Sequence, residues 1–167
     1  GMALRLPAWA TARVRPWSMT TNFDTLAERP LTAADYDQLL ALWELAGLHI
    51  RPTGRDSRAA FAQQAAGQVQ RAIGLWQGPA LVGVVLATHD SRRGYINRLA
   101  VAPTYRRHGL GRRLIAACEA WFASLGIEVW SALIENWNDA SFAIFAAAGY
   151  TRHADITYVS KRERPEA

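Results

Sequence analysis

The spacing of apolar residues along the chain predicts alternating helices and strands. Apolar side chains recur every three or four positions over residues 109–125, which predicts a helix there. Three runs rich in apolar and β-branched residues, at 72–76, 80–88 and 94–101, predict strands, and a Gln-Gly-Pro turn at 77–79 joins the first two. Helices and strands that alternate in this way place the chain in the α/β class.

The other elements follow from capping residues, turns and shorter apolar runs. Thr32 is a candidate N-cap for a helix that Gly47 ends, and Asp56 or Ser57 caps a second helix that runs to about residue 70. The remaining predicted elements are a weak strand at 23–29, a buried strand at 127–134, a helix at 137–148, and a closing hairpin at 151–154 and 156–160.

Length and composition favour a single domain. The chain has 167 residues, 50% hydrophobic and 20% charged, enough for one substantial core. Residues 1–22 show neither helical nor strand periodicity, so we interpret them as an N-terminal extension, 23–162 as the domain and 163–167 as a C-terminal tail. Gly1 is typical of a residue left by tag removal, and Met19 is an alternative start of the cellular chain.

Cysteine usage, hydropathy and charge narrow the class of protein. A single cysteine excludes an internal disulfide framework, and no stretch reaches the roughly 18 apolar residues of a membrane span, so we expect a cytoplasmic protein. The net charge of +5 raises the hypothesis of a basic nucleic-acid-binding domain. The basic residues are scattered, however, and their only dense group surrounds two glycines, which favours a local phosphate site.

Those two glycines, Gly109 and Gly111, lie at the mouth of the helix predicted after the third strand. Pro103 ends the strand, and a basic turn at 106–108 follows. The unpaired N–H groups of a first helical turn attract phosphate, and glycine lets a diphosphate approach the backbone. The spacing fits neither a Walker loop, which needs Gly-Lys-Ser/Thr, nor a Rossmann turn, which needs a small residue where Leu114 stands.

The motif Arg-x-x-Gly-x-Gly after a strand that ends Leu-Ala-Val-x-Pro resembles the acetyl-CoA-binding motif of the GNAT N-acetyltransferase superfamily. Residues 138–150 match a second family pattern, Asn-x-x-Ala/Ser-x-x-Leu-Tyr-x-x-x-Gly-Phe/Tyr. The turn at 90–94 is similar to a signature of a small bacterial branch of uncertain substrate. The resemblance implies a GNAT fold, with a mixed central sheet of about six to seven strands, about four flanking helices and a splay at the acetyl-CoA site.

The same resemblance implies which residues hold acetyl-CoA. In GNAT proteins the motif strand bonds the pantetheine arm through its backbone, and the amides of the glycine turn bind the pyrophosphate. The implied strand residues are Leu99, Ala100 and Val101. The implied turn residues are Arg106, Arg107, His108, Gly109, Leu110, Gly111 and Arg112. Asn138, Ser141 and Phe145 complete the set, and no metal is expected, because no metal-ligand spacing is present.

The sequence leaves several candidates for the general acid. Many GNAT enzymes have a tyrosine where this chain has Phe145, and a phenyl ring cannot protonate the departing CoA thiolate. Ser141 lies one helical turn earlier on the same face and is the catalytic candidate for this role. Tyr150, a water molecule or unassisted departure of the thiolate are the alternatives.

The sequence also leaves several candidates for the general base. Tyr95 and Asn97 lie two residues apart on the motif strand, so they share one face and could order a water chain that carries the proton away. Glu135, at the end of the next strand, is the nearest carboxylate and the third candidate.

Acceptor specificity is expected from the loop at 48–58 and the turn at 89–93. The candidates are Trp43 as an aromatic wall, Arg51 and Arg93 as anion-binding groups, and Asp90. Arginines in both segments favour an acceptor that carries a carboxylate or a phosphate, and a merely solvated surface is the alternative.

The predicted function is transfer of an acetyl group from acetyl-CoA to the primary amine of a small molecule or peptide, by direct attack in a ternary complex. No nucleic-acid or membrane partner is expected, and a homodimer is compatible with the sequence. A phenylalanine at the position of the usual acid, Phe145, and the lack of an evident general base motivate an alternative function. This alternative is a non-catalytic acyl-CoA-binding sensor or partner-binding GNAT domain. The basic charge motivates a second alternative, a nucleic-acid-binding domain.

Overall fold

A computed structural model describes Pro7 and residues 23–167, which form a sheet flanked by helices. The strands are Ala27–Pro30 (β1), Gln70–Gln77 (β2), Ala80–His89 (β3), Arg93–Val101 (β4) and Val129–Ala132 (β5). The α-helices are Tyr36–Leu45 (α1), Arg58–Ala66 (α2), Leu110–Ser124 (α3) and Asp139–Ala147 (α4). Short 3-10 helices lie at Phe23–Thr25, Ala33–Asp35 and Pro103–Tyr105. No helix of the described part has both the length and the apolar character needed to cross a membrane.

The sheet is mixed and opens at one end. Strands β1 to β4 pair antiparallel in chain order, and β5 joins β4 in parallel after the α3 crossover. The β4–β5 pairing runs only from Arg93–Val129 to Ile96–Ala132. Beyond Ile96, β4 continues to Val101 without a partner from β5, so the two strands splay apart as the GNAT resemblance implied.

The core lies on both faces of the central strands. Ala80 to Ala87 of β3 are buried at every position, which requires cover on both faces of the sheet. On one face α3 buries an apolar stripe that includes Leu114 and Phe122. A Cβ at Gly94 would lie 2.5 Å from Phe122 Cδ2, so glycine lets α3 pack closely on β4.

Local capping chemistry sets the helix starts. The Ser57 hydroxyl accepts a hydrogen bond from Ala60 N at 3.1 Å, which confirms one of the two predicted caps for α2. At Thr32 the backbone N–H donates to Asp35 Oδ2 at 2.8 Å, at the start of the 3-10 turn that precedes α1. Helix α2 ends at Ala66 rather than near residue 70, because β2 already begins at Gln70.

The C-terminal part differs from the prediction. The closing hairpin at 151–154 and 156–160 is wrong: these residues are exposed and belong to no strand, so the described sheet has five strands rather than six or seven. The strand predicted at 127–134 is limited to β5, and Val129 is 50% exposed because β5 forms the edge of the sheet. Strand propensity alone does not form a strand where no edge lies in register beside it. The weak strand predicted at 23–29 is a 3-10 turn followed by β1, and the predicted N-terminal extension lies outside the described residues except for Pro7.

Candidate active site

The turn before α3 has the backbone geometry of an anion cradle. Arg107 and Gly109 both adopt left-handed conformations, with φ of 66° and 77°. The first helical bond runs from Arg113 N to Gly109 O at 3.1 Å. The amides of residues 110–112 precede that bond and have no acceptor within the helix, so they point outward. Left-handed residues in such turns orient successive N–H groups toward a common anion.

A groove leads from this turn along the unpaired part of β4. Gly111 lies between β4 and α4, since a Cβ at this position would be 3.4 Å from Ile144 Cδ1 and 3.7 Å from Leu99 Cδ2. The residues that the resemblance implied on the strand, 99–101, lie beyond the last β4–β5 pair. An anionic group at the helix terminus and an amide-containing arm along the free strand edge therefore fit the residues present.

The arginines of the turn divide into two groups. Arg106 Nε donates to Val101 O at 3.1 Å and closes the turn onto β4. Arg113 donates to Phe23 O at 3.3 Å and to Leu26 O at 2.7 Å, so it fixes the segment before β1. Arg107 and Arg112 are exposed and form no ion pair within the described chain. These two side chains supply positive charge beside the outward amides.

His108 packs against an aromatic ring. Its ring stacks on Phe23 with a centroid distance of 3.7 Å and an interplanar angle of 12°. The Phe23 ring also contacts Tyr105 edge-on at 5.8 Å. The contact holds the imidazole beside the segment that precedes β1, while the backbone of His108 remains part of the turn.

The second motif lies at the start and on the buried face of α4. Asn138 is the N-cap, and its Oδ1 accepts from Ser141 N at 3.1 Å, which leaves the Asn138 amide N–H₂ for another acceptor. Phe145 is 5% exposed and contacts the ring of Tyr150 edge-on at 5.1 Å. The Tyr150 hydroxyl donates to Glu119 Oε2 at 2.9 Å. Burial, followed by this hydrogen bond, raises the pKa of Tyr150, so the phenol keeps its proton and donates it to Glu119 in the hydrogen bond.

A row of polar groups follows β4 on the face opposite α3. Tyr95 and Asn97 alternate with Gly94 and Ile96, and Gly94 points to Phe122 of α3. Asn97 Nδ2 donates to Thr88 Oγ1 at 3.4 Å, and Thr88 is paired with Tyr95 across the sheet. The Tyr95 hydroxyl donates to Asp90 Oδ2 at 3.3 Å. The row thus extends from the splay to the exposed β3–β4 turn.

Asp90 anchors that turn and ends the polar row. Its Oδ1 accepts from Arg93 N at 2.7 Å and from Arg92 N at 2.9 Å. These backbone hydrogen bonds, with Arg93 contributing most, hold the pKa of Asp90 below its ordinary value. Arg93 itself is exposed and lies five residues before Arg98, roughly 16 Å away along the strand.

A β-bulge in β4 carries a residue that sequence reasoning missed. Val84 pairs with Ala100 and Leu86 with Asn97, so two residues of β4, Arg98 and Leu99, oppose Val85 alone. Arg98 has a left-handed φ of 52°. A charged residue in the middle of a central strand was the available signal, because such a residue needs a partner.

That partner is Asp56 of the loop between α1 and α2. Arg98 Nη2 lies 2.8 Å from Asp56 Oδ2, and Nη1 donates to His49 O at 3.2 Å. The same carboxylate oxygen accepts from Arg51 N at 2.6 Å. The Arg98 guanidinium lies 4.8 Å from the ring centroid of Trp43, which is 2% exposed and thus covered. The loop expected to bind the acceptor is therefore attached directly to the motif strand.

Glu135 lies apart from the polar row. It is exposed in the loop after β5, and its Oε2 accepts from Trp137 Nε1 at 3.2 Å. The structure thus brings Tyr95, Asn97 and Asp90 together on one face, and places Ser141 and Glu135 on the β5–α4 side of the splay.

The mixed sheet, its splay and the glycine turn beside it are the features that the GNAT resemblance implied. The model of the acetyltransferase (GNAT) family matches residues 36–150. The chain therefore belongs to the acetyltransferase (GNAT) family.

Solved structures share the fold at low sequence identity. A putative acetyltransferase from Agrobacterium tumefaciens aligns with a TM-score of 0.69 and 15% identity, over 81% of this chain and 99% of that protein. The acetyltransferase AAC(6')-Iy, bound to the bisubstrate analogue CoA-S-monomethyl-acetylneamine, aligns with a TM-score of 0.67 and 16% identity, over 82% of this chain and 98% of that one.

A sequence relative matches over a shorter segment. A probable N-acetyltransferase HLS1-like protein of Arabidopsis thaliana is 41% identical over 61 residues. The match covers 36% of this chain and only 15% of that protein. The likeness concerns one segment of a much longer protein.

Proposed function

We propose that this acetyltransferase moves an acetyl group from acetyl-CoA to the primary amine of a small molecule or peptide, by direct attack in a ternary complex. One observation carries the proposal: the free edge of β4 beyond Ile96 begins beside the helix terminus at which Arg107 and Gly109 are left-handed. The strand edge offers backbone donors and acceptors to an amide-containing arm, and the helix terminus offers N–H groups to a diphosphate. CoA combines these two chemistries, and AAC(6')-Iy binds a CoA analogue on the same fold.

The residues that would hold the cofactor are those that the family resemblance implied. The backbone of Leu99, Ala100 and Val101 would bind the arm, and the amides of the turn would bind the pyrophosphate, with Arg107 and Arg112 adding charge. The free N–H₂ of Asn138 faces no acceptor within its own cap and would donate to the arm. Acetyl-CoA would supply the thioester carbonyl that the amine attacks.

The polar row supports a route for the proton that the acceptor amine must lose. Asn97 and Tyr95 would order water next to the splay, and Tyr95 already donates to Asp90 at the exposed turn. Because Asp90 stays ionised, it provides a fixed negative charge at the outer end of the route. On the opposite side of the splay, Ser141 would donate a hydrogen bond to the departing thiolate, since the Tyr150 hydroxyl already donates to Glu119.

The acceptor loop supports an anionic acceptor. Arg51 Nε is buried and has no hydrogen-bond partner within the described chain. Arg51 as a whole is partly exposed, so a carboxylate or phosphate on the acceptor would pair with the accessible part of its guanidinium. Arg93 would add positive charge that attracts the acceptor at longer range.

The test is a CoA-release assay with acetyl-CoA and a panel of amines, in parallel with thermal shift by CoA. The panel contains amino acids and dipeptides, neutral amines and aminoglycosides, each at low and high salt. Turnover that is fastest with anionic amines supports the proposal. Stabilisation by CoA without turnover of any amine would favour the acyl-CoA sensor, and indifference to CoA with salt-dependent DNA binding would favour the nucleic-acid-binding domain.

A further inference from the structure

The backbone of β4 is held in an unfavourable conformation at Arg98. Its φ of 52° lies in the left-handed region, where a residue with a side chain pays a free-energy cost that glycine does not pay. Strained residues of this kind persist only where the surrounding structure holds them, and they cluster at functional sites. The contacts of the Arg98 side chain must therefore compensate for the strain in its own backbone.

Those contacts all lead to the acceptor loop, residues 46–57 between α1 and α2. The guanidinium pairs with Asp56 at 2.8 Å and donates to His49 O at 3.2 Å, and these two partners lie near opposite ends of the loop. It also lies 4.8 Å from the ring centroid of Trp43 in α1. Only 15% of the Arg98 side chain is exposed, so the ion pair is largely shielded from water.

Asp56 gathers the rest of the loop around this ion pair. Its Oδ2 accepts from Arg98 and also from Arg51 N, the latter at 2.6 Å. Its backbone N–H donates to Arg51 O at 3.1 Å, and its carbonyl oxygen accepts from the Tyr36 hydroxyl at 2.6 Å. The position of Arg51, a candidate for binding the acceptor, therefore depends on the carboxylate that binds Arg98.

The ion pair is also the link between this loop and the sheet. Within the described chain, the backbone hydrogen bonds of residues 46–57 stay inside the loop and its flanking helices. Among the ion pairs of the described residues, Arg98 with Asp56 alone joins the loop to a strand. Loss of the Arg98 side chain would therefore release the loop from β4 while its internal turns remain.

We propose that Arg98 is a positioning residue for the acceptor: its ion pair with Asp56 places the acceptor loop at the splay, where the bound amine meets the thioester. The inference rests on the proposed function. Leu99, the next residue of β4, would hold the arm of CoA, so a shift of the loop relative to β4 would separate the two substrates. Such misplacement matters, since an error of about 1 Å between reacting groups can cost about a hundredfold in rate.

The first test separates the Arg98 side chain from the strain in its backbone. Arg98→Gly removes the ion pair and relieves the strain, Arg98→Met removes the ion pair and keeps the strain, and Arg98→Lys keeps the charge without the planar fork. We expect the KM for the amine to rise by about tenfold or more in the first two variants, and by less in the third. The affinity of Arg98→Gly for CoA in calorimetry should stay nearly unchanged, because glycine keeps the bulge and the turn before α3 is untouched.

Two further variants complete the kinetic test. Asp56→Asn should raise the same KM, and its combination with Arg98→Gly should raise it no further, because both residues act through one ion pair. Arg29→Met is the control, since it breaks the exposed pair with Asp35 on β1, at the opposite edge of the sheet from the splay. It should leave the KM for the amine and the affinity for CoA unchanged.

The second test does not depend on turnover. Hydrogen–deuterium exchange of the full chain should be faster over residues 51–57 in Arg98→Gly than in Arg29→Met, because the loop has lost its attachment to β4. Exchange over residues 110–124, helix α3, should be the same in both variants.

Equal loop exchange in these two variants, or an unchanged KM for the amine in Arg98→Gly, would overturn the proposal. A parallel loss of CoA affinity and of amine binding would also overturn it, since Arg98 would then support the fold in general. A wild type that binds CoA and turns over no amine would refute the proposed function instead. In that case faster loop exchange in Arg98→Gly would still show that Arg98 holds the loop on β4.

Discussion

Arg98 of the β4 bulge and Asp56 of the α1–α2 loop form the most buried ion pair of the described chain, with 2.8 Å between Nη2 and Oδ2 and side chains 15% and 6% exposed. The pair joins the strand that would bind the cofactor to the loop that would bind the acceptor. Burial of Arg98 lowers its pKa, with Asp56 opposing that effect, and the guanidinium remains charged. The relationship makes the acceptor loop part of the same rigid unit as β4.

Breaking this ion pair is expected to cost more than breaking an exposed one. Arg98→Met leaves the buried Asp56 carboxylate without its positively charged partner, which should lower the free energy of unfolding by about 3 kcal/mol. Arg98→Met combined with Asp56→Asn should recover part of that loss, because the uncompensated charge is gone. Arg58→Met, which breaks the exposed pair with Asp37, is the control and should cost under about 1 kcal/mol. Urea unfolding of the wild type, these three variants and Asp56→Asn checks this prediction. A double variant whose loss of stability equals the sum of the losses of Arg98→Met and Asp56→Asn contradicts it.

A larger side chain at Gly111 is expected to close the cofactor groove. The first carbon of the side chain would rest in ordinary contact with Ile144 and Leu99, so the fold should tolerate Gly111→Val, while the branched methyl groups would occupy the space beside the outward amides. We expect CoA affinity to fall at least tenfold, about 1.4 kcal/mol, in calorimetry. Ala116→Val on the exposed side of the same helix should leave affinity unchanged. Equal CoA affinity of the two variants would show that CoA does not bind in this groove.

Phe145→Tyr is expected to raise the turnover number. The residue stands where the family resemblance implies a proton-donating tyrosine, and the substitution adds one hydroxyl to a side chain that is 5% exposed. Burial of that hydroxyl should cost about 1 kcal/mol or less if it faces the groove. Steady-state kinetics should show a higher kcat with little change in KM for the amine. An unchanged or lower kcat would mean that another group already protonates the thiolate, and Ser141→Ala then becomes the informative variant.

Tyr150→Phe is expected to leave turnover intact and to change the pH dependence of stability. The raised pKa of Tyr150 means that the folded state holds this proton more tightly than the unfolded chain. Its contribution is therefore fully present below the ordinary pKa of 10.0 and is lost as pH rises above it. Urea unfolding at about pH 8 and about pH 11 should show a smaller loss of stability in Tyr150→Phe than in the wild type. A collapse of kcat in this variant would identify Tyr150 as the acid after all.

Arg51→Met is expected to remove the preference for anionic amines. The substitution keeps most of the apolar stem and deletes the buried, unpartnered Nε. The specificity constant for carboxylate-bearing amines should fall selectively, and its dependence on salt should weaken. CoA affinity should not change, since the turn before α3 is untouched. Arg55→Met, at an exposed arginine of the same loop, is the matched control, and equal effects of the two variants would show that Arg51 acts only as part of the surface.

The sequence by itself determined the features that a short stretch of chain decides. Helix α3, a cap for α2 at Asp56 or Ser57 and the glycine turn before α3 were predicted because helical periodicity, capping and turn formation depend on residues a few positions apart. Tertiary structure alone decided the pairings between distant segments. Arg98 and Asp56 are 42 residues apart, and Tyr150 and Glu119 are 31 apart, so no local pattern links their side chains.

The C-terminal residues show the same division between local and distant causes. Residues 151–160 have the composition of a strand, yet a strand forms only where another edge supplies hydrogen bonds in register. Which edge lies beside a segment depends on how the whole chain packs. The sequence therefore determined the tendency of each segment to form a helix or a strand. Only the tertiary structure decided which other segment it pairs with.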